Sequence, residues 1–258
     1  MKRIIALGDM HCGNFGGLST PEMILGLRDR KPATYDMQME MYTKYSEMVK
    51  KLTKVPRNCE IIVVGNGDLV DGKKNTQELI TADMNEQVTM AADLLKMWEA
   101  DRYFLTYGTP FHTGKEDDWE VGIAKQLGCP IYNRLFLQAD KVNFCFRHKV
   151  GRGNVPQSKH TAAARAAMWN VLNAARGTEP NAHVLCFSHV HYHSGSFQPG
   201  WLAMTLPALQ TTSSFGAKEC DGSVDWGLVW FDVEGDRILN WQAEIQPIDG
   251  ARTKPIKI

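Results

Sequence analysis

Residues 61–72 read IIVVGNGDLVDG, an apolar run followed by three glycines and two aspartates within eight residues. The four β-branched residues have the length and composition of a strand that is buried on both faces of a parallel sheet. Glycine allows a sharp turn and a close approach of the backbone to a ligand, which predicts that Asp68 and Asp71 lie at the carboxyl end of this strand. Ligands bind at that end in open α/β sheets. Because Gly/Asp turns after strands are common, the loop becomes informative only if other strands deliver matching residues.

The bulk composition leaves most function classes open. The chain has 258 residues, with 29 Lys+Arg against 29 Asp+Glu, so its net charge does not demand nucleic acid or an anionic membrane as a partner. We expect one domain spanning residues 1–258. The six cysteines form no Cys-x-x-Cys pair, which argues against a zinc ribbon or a thioredoxin-like site. The N-terminal apolar run is too short for a signal peptide and no longer run could span a bilayer, so we expect a cytoplasmic protein without a membrane partner.

Apolar spacing along the chain predicts a layered architecture. Buried strands are predicted at residues 4–7, 61–64, 103–107, 143–148 and 184–187. Helices are predicted at residues 36–52, 76–99, 117–127 and 161–176. The last third of the chain reads as antiparallel strands at residues 201–206, 228–233 and 238–245. Strands that alternate with helices and are followed mainly by strands favour an α/β sandwich.

Acidic and histidine residues follow several of these strands. Asp9 and His11 follow the first strand, and His189 and His191 follow the strand at residues 184–187. Each pair is spaced two positions apart, so its side chains point to the same side if the backbone is extended. A lone histidine after a strand is usually structural, but five of the eight histidines here come directly after predicted strands. Together with Asp68 this pattern favours a site for first-row divalent metal ions.

The same segments resemble the motifs of the calcineurin-like metallophosphoesterases. The matching pieces are GDMH at residues 8–11, GDLVD at 67–71, His148, and SHVH at 188–191, in the family's order. The resemblance implies an α/β fold, a four-layer α/β/β/α sandwich, with a dinuclear metal site at the strand ends. It implies two divalent ions, with manganese first and iron, zinc or nickel as alternatives.

The resemblance also implies a role for each matching residue. One ion would be held by Asp9, His11 and His191. His148 and His189 would hold the other ion, and Asp68 would bridge the two. Asp71 would orient ligands or the loop backbone from the second layer of the site.

The third motif departs from the family's pattern. The family has Gly-Asn-His followed by an acidic residue, whereas residues 108–112 read GTPFH. Thr109 stands where the Asn ligand would be, and its neutral hydroxyl is a weak ligand, so the second ion is held less tightly or by His112 itself. In the family the histidine of this motif protonates the leaving group or stabilises phosphoryl oxygens, which makes His112 the expected catalytic residue. Arg147 and Arg152 flank His148 and suit either bidentate binding of substrate phosphate or ordinary solvated surface positions.

The implied activity is metal-dependent hydrolysis of a phosphate ester by a hydroxide that two metal ions activate. The GTPFH block resembles small phosphoesterases of phages and bacteria, which favours a phosphodiester or nucleic-acid substrate. The alternatives are a phosphomonoesterase acting on proteins or nucleotides, and a catalytically weak metal-binding scaffold of the same fold. A serine hydrolase is disfavoured because no Gly-x-Ser-x-Gly elbow occurs. The oligomeric state stays open.

Overall fold

The computed structural model describes residues 1–74, 76–114, 118–153, 155–211 and 224–252. The strands are β1 (Lys2–Leu7), β2 (Glu60–Asn66), β3 (Arg102–Thr106), β4 (Ile131–Tyr132), β5 (Leu135–Ala139), β6 (Val142–Arg147), β7 (Val184–Phe187), β8 (Ser194–Gln198), β9 (Trp201–Thr205), β10 (Gly227–Glu234) and β11 (Arg237–Ile245). The α-helices are α1 (Pro21–Leu25), α2 (Pro32–Leu52), α3 (Met84–Lys96), α4 (Pro110–Thr113), α5 (Glu120–Leu127) and α6 (Thr161–Ala175). Short 3-10 turns cover Thr76–Glu78, Pro156–Ser158 and Asp249–Ala251. No helix in these described ranges is long and apolar enough to cross a membrane.

The strands form two mixed sheets. The first sheet has the order β11-β10-β1-β2-β3-β4, in which β1 to β4 are parallel and β10 and β11 are antiparallel additions at one edge. The second sheet has the order β5-β6-β7-β9-β8, with β6, β7 and β9 parallel to one another. Loops that follow β1, β2, β3, β6 and β7 carry the candidate site residues.

Alternating side chains of the central strands build three apolar layers. Along β1, Ile4 belongs to the cluster shared with the second sheet, and Ile5 belongs to the cluster formed with the helices. Helices α2, α3 and α5 cover the first sheet, and the alanine-rich face of α6 covers the outer face of the second sheet. The central strands are thus buried on both faces, as their continuous apolar runs predict. The expected four-layer α/β/β/α sandwich is confirmed.

Several local predictions differ from the structure. The helix predicted at residues 76–99 begins at Met84, because the Asp83 carboxylate accepts the Asn85 N–H at 2.8 Å and caps the helix there. The helix predicted from residue 117 begins at Glu120, and Asp117 itself lies outside the described residues. β9 was expected to be purely antiparallel, but it inserts between β7 and β8 and pairs parallel with β7. Apolar alternation reports burial and not strand direction, so it could not reveal this pairing.

Candidate metal centre

The loops after β1 and β2 remain paired beyond the ends of their strands. The Asp9 N–H donates to the Gly67 carbonyl at 3.0 Å, and the His11 N–H donates to the Asp68 carbonyl at 3.0 Å. Gly67 has φ 79°, and a Cβ there would lie 2.7 Å from the His148 ring. Glycine at this position therefore lets the loop approach the imidazole as closely as it does.

The backbone at the candidate ligands is left-handed rather than extended. Asp9, His11, Asp68, His189 and His191 have φ values of 49°, 45°, 51°, 74° and 57°, and they make up five of the seven described non-glycine residues with positive φ. The expectation that each strand-end pair shares one side of an extended backbone is therefore wrong. The left-handed backbone conformation of each residue sets the direction of its side chain instead. Such conformations cost about 1–3 kcal/mol each and cluster at functional sites.

Asp9 lies at the centre of the cluster. Its Oδ2 accepts the His189 N–H at 2.9 Å. Its Oδ1 lies 3.4 Å from Nε2 of His191, 3.9 Å from Nε2 of His11 and 4.0 Å from Nε2 of His148. Burial raises the pKa of Asp9, but His191 and His148 lower it by more, so the carboxylate is held ionised.

Three of these atoms are buried without a hydrogen-bond partner among the described residues. They are Oδ1 of Asp9, Nε2 of His11 and Nε2 of His148. Unpaired buried polar atoms are rare because each loses its hydrogen bonds to water without replacement. A carboxylate oxygen and imidazole nitrogens that converge in this way form the donor set of a first-row divalent ion. The residues present therefore fit a divalent metal.

Hydrogen bonds on the far side of two histidines fix which nitrogen is free. Nδ1 of His148 donates to the Asn66 carbonyl at 2.8 Å, so Nε2 is the nitrogen that faces Asp9. Nδ1 of His11 donates to Oδ1 of Asp71 at 3.1 Å, and Oδ2 of Asp71 accepts the side-chain amide of Asn14 at 3.1 Å. A carboxylate behind a metal-binding histidine orients the ring and raises its basicity. Asp71 is therefore placed to orient the His11 ring.

Ligand atoms gather in three groups whose members lie within 4.8 Å of one another. The first group contains Asp9, His11 and His191, and the second contains Asp68, His148 and His189. Both correspond to sets that the resemblance implies. The third group joins His11, Asp71 and His112. Proximity alone does not assign an ion to each group, and the roles of single ligands stay predictions.

Thr109 binds the carboxylate of Asp68. Its N–H donates to Oδ1 at 2.6 Å, and its hydroxyl lies 3.1 Å from both oxygens. A Cβ on Gly108 would lie 2.3 Å from Asp68, so only glycine allows this contact. Thr109 stands where the resemblance expects the Asn ligand, and in this structure its N–H and hydroxyl position Asp68.

Asp68 and His148 also share a close contact. Nε2 of His148 lies 3.0 Å from Oδ2 of Asp68, although the alignment is not that of a hydrogen bond. Burial raises the pKa of Asp68, but His148 and His11 outweigh it and hold the pKa well below its usual range. Burial lowers the pKa of His148, but Asp68 and Asp9 outweigh it and raise the pKa to about 10. The carboxylates thus favour positive charge at this position, which a proton or a metal cation supplies.

His112 faces the same cluster from α4. Its Nδ1 donates to the Asp71 carbonyl at 2.7 Å, so Nε2 is the nitrogen that remains available. Its ring lies edge-on to the His11 ring, with centroids 4.4 Å apart. Burial and the neighbouring His11 lower the pKa of His112. The histidine is therefore held mainly neutral at pH 7, with one nitrogen free.

The cluster opens into a cavity of about 1010 Å³. Lys74, Phe111 and Lys149 line it beside the histidines, with the Lys74 ammonium 4.3 Å from the centroid of the Phe111 ring. The structure does not bring Arg147 or Arg152 to this cavity. Side chains alternate along β6, so Arg147 points to the α6 side of the sheet while His148, the next residue, faces the cluster.

Comparisons with known proteins add a likeness of fold. No protein-family model and no curated protein matches the sequence. An archaeal phosphodiesterase is 13% identical, with 95% of this chain and 99% of that chain covered and a TM-score of 0.46. Wild-type Vps29 from Entamoeba histolytica complexed with Zn²⁺ is 10% identical, with 95% and 98% covered and a TM-score of 0.45. A predicted phosphoesterase from Streptococcus pneumoniae is 11% identical, with 90% and 83% covered and a TM-score of 0.36.

At these identities and TM-scores the likeness is loose. The chain's own layers and the order of its strand-end residues are those that the sequence resemblance implies. The chain has the four-layer α/β/β/α fold that the resemblance to the calcineurin-like metallophosphoesterases implies.

Two residues that the sequence reasoning missed support the candidate metal centre. Gln87 is buried on α3, and its side-chain oxygen accepts the N–H groups of Asp71 and Gly72 at 3.1 and 2.9 Å. Glu120 is buried at the start of α5, where burial and Asp68 raise its pKa to about 8. The sequence signal that could have identified Gln87 is its position as a polar residue in the apolar stripe of α3, between Met84 and Ala91.

Proposed function

We propose that this chain is a metal-dependent phosphoesterase that acts preferentially on phosphodiesters. The observation that carries the proposal is the convergence of three buried atoms that have no hydrogen-bond partner among the described residues: Oδ1 of Asp9, Nε2 of His11 and Nε2 of His148. Three such atoms within one cluster are costly unless a cation binds them.

Two divalent ions, preferably manganese, are part of the proposal. Asp9, His11 and His191 would hold one ion, and His148 and His189 would hold the other, with Asp68 between them. The mixture of carboxylate oxygen and imidazole nitrogen suits manganese, iron, zinc and nickel. When bound, such ions supply an activated water and neutralise charge on the phosphoryl oxygens.

The protein's own contribution to the reaction is positioning and one proton. Thr109 fixes the orientation of Asp68, and Asp71 fixes that of His11. His112 has Nε2 free and directed away from its bond to the Asp71 carbonyl. An approaching phosphate favours the charged form of this imidazole. The charged ring then donates the Nε2 proton to the leaving oxygen.

The preference for diesters is supported by the size and lining of the cavity. A volume of about 1010 Å³ leaves room for a group on each side of the reacting phosphorus. Lys74 and Lys149 offer positive charge to phosphates, and Phe111, with 54% of its surface exposed, offers a ring face. Lysines combined with an exposed aromatic ring suit a nucleotide or a short single strand of nucleic acid. Nucleic acid is therefore included as a substrate class.

A cytoplasmic location completes the proposal. The five described cysteines are Cys12, Cys59, Cys129, Cys145 and Cys186, and all of them are free thiols. Free thiols persist in a reducing compartment. Fractionation of cells that express the protein would test this part, and recovery in an oxidising compartment would contradict it.

The function is tested by metal analysis together with an activity panel in manganese. The panel contains p-nitrophenyl phosphate, bis-p-nitrophenyl phosphate, 2′,3′-cyclic nucleotides and single-stranded DNA. We expect bound divalent metal, turnover of the diesters in preference to the monoester, and loss of turnover in Asp68→Asn and His112→Ala. His160→Ala, at an exposed histidine that precedes α6 and does not line the cavity, is the matched control.

Two outcomes would overturn parts of the proposal. Bound metal without turnover of any ester would mean that the chain is a binding scaffold. Ready cleavage of the monoester with intact diesters and DNA would remove the diester preference and leave a phosphomonoesterase.

A further inference from the structure

A second cavity, of about 290 Å³, lies beneath α6 on the face of the second sheet that is turned away from the first sheet. Cys145, Leu185 and Phe187 form its floor, and α6 forms one wall with Ala166 and Trp169. It shares no lining residue with the described cavity at the metal centre. The two cavities therefore lie on opposite sides of β6.

The charge of this second cavity is unbalanced. Three arginines line it, Arg134, Arg147 and Arg165, against one carboxylate, Glu179. Arg134 is paired with Oε1 of Glu179, and Oε2 of Glu179 accepts the side-chain amide of Asn170 at 3.2 Å. Among the residues that the structure describes, Arg147 and Arg165 have no carboxylate within ion-pair distance. The cavity therefore carries two surplus positive charges.

Arg147 is incompletely bonded. Its guanidinium carbon lies 5.3 Å from the centroid of the Phe187 ring, and its Nε is buried without a hydrogen-bond partner among the described residues. Burial and the nearby Arg134 lower the pKa of Arg147, which shows that the site disfavours a further positive charge. An unpaired buried donor of this kind is satisfied by an anionic acceptor.

We propose that this cavity binds the phosphate group of a small ligand between Arg147 and Arg165. Arginine forks match the oxygens of phosphate and bind them in pairs. The volume lies near the lower end of about 300–1,000 Å³ for small-molecule sites, which suits a phosphate with a small organic group. Trp169, 55% exposed at the edge, offers a ring face to such a group. The source of the phosphate is either the free ion or a small phosphate ester.

The test uses the full chain in EDTA, so that neither metal nor turnover contributes. Inorganic phosphate and adenosine 5′-monophosphate are titrated separately by calorimetry. We expect one saturable site per chain for at least one of them. Arg147→Gln and Arg165→Gln should each weaken binding by about tenfold or more, since each removes charge-assisted hydrogen bonds. Arg176→Gln, at the exposed end of α6 and outside the cavity, should leave the affinity unchanged.

The two ligands and one further variant distinguish the sources. Tighter binding of the nucleotide, with the difference lost in Trp169→Ala, identifies a phosphate ester. Equal affinities identify free phosphate. Absence of saturable binding of both ligands, or equal weakening by Arg165→Gln and Arg176→Gln, overturns the site. Arg165 is exposed, so its variant carries the test even if the half-buried Arg147 variant fails to fold.

Discussion

Glu120 ties together the two loops that hold Asp68. Its Oε1 accepts the Leu69 N–H at 2.9 Å, and its Oε2 accepts the Gly108 N–H at 2.6 Å. Leu69 follows Asp68 in sequence, and Gly108 precedes Thr109, which donates to Asp68. The side chain has no exposed surface. A single buried carboxyl group thus fixes the loop after β2 against the loop after β3.

The variant Glu120→Gln keeps the size of the side chain but removes one acceptor. Its amide NH₂ would face a backbone N–H, and one buried donor would be left unpaired, at a cost of about 1–3 kcal/mol. For a chain of 258 residues, that loss lowers Tm by roughly 2–6 °C. Scanning calorimetry at pH 7 in EDTA measures the change. Glu47→Gln, at an exposed position on α2, is the control and should stay within about 0.5 kcal/mol of the wild type.

The pH dependence gives a second readout for the same variant. Burial and Asp68 raise the pKa of Glu120 to about 8 from its ordinary value of 4.5, against the opposing effect of its two N–H bonds. A raised pKa contributes stability that is fully present below the unfolded value and is lost as the pH rises through the folded value. Glutamine does not titrate. The difference in unfolding free energy between the wild type and Glu120→Gln should therefore decrease as the pH rises from about 5 to about 9. A stability difference that is constant with pH would refute the reasoning, and so would a loss of stability no larger than that of Glu47→Gln.

Three further predictions concern the core and the metal centre. The hydroxyl of Tyr45 donates to a backbone carbonyl of α3 and accepts the indole N–H of Trp98 at 2.7 Å. Tyr45→Phe should therefore lower the unfolding free energy, measured by urea denaturation, by about 1–3 kcal/mol. An equal loss in the control Tyr42→Phe would contradict this. Asp71→Asn should weaken manganese binding by about 10–100-fold, because His11 loses the carboxylate that orients it; an unchanged calorimetric affinity would contradict this. Manganese at about 100 times its Kd should stabilise the folded chain by about 2.7 kcal/mol, and a Tm that is insensitive to manganese and to EDTA would exclude a metal site.

The central strands and the positions of the candidate ligands along the chain could be predicted from the sequence, whereas β4, β5 and β8 were missed. A β-branched run such as residues 61–64 is buried on both faces wherever it folds, so its assignment to β2 does not depend on distant contacts. The residues that follow a strand lie at its carboxyl end by connectivity alone. The strand-end position of Asp68 and His189, and hence the metal hypothesis, therefore followed from local sequence together with the family resemblance.

The side-chain directions and the hydrogen-bond partners of those residues were decided only by the tertiary structure. The left-handed φ of Asp9 and His11 is imposed by pairing with the neighbouring loop, which no local propensity reports. The bond from Thr109 to Asp68 joins residues 41 positions apart. Arg147 faces α6 because strand alternation places it opposite His148, and its unpaired Nε becomes visible only when α6 is packed above it. Hydrogen bonds and burial depend on which segments meet in space, whereas apolar periodicity records only which side of a segment is buried.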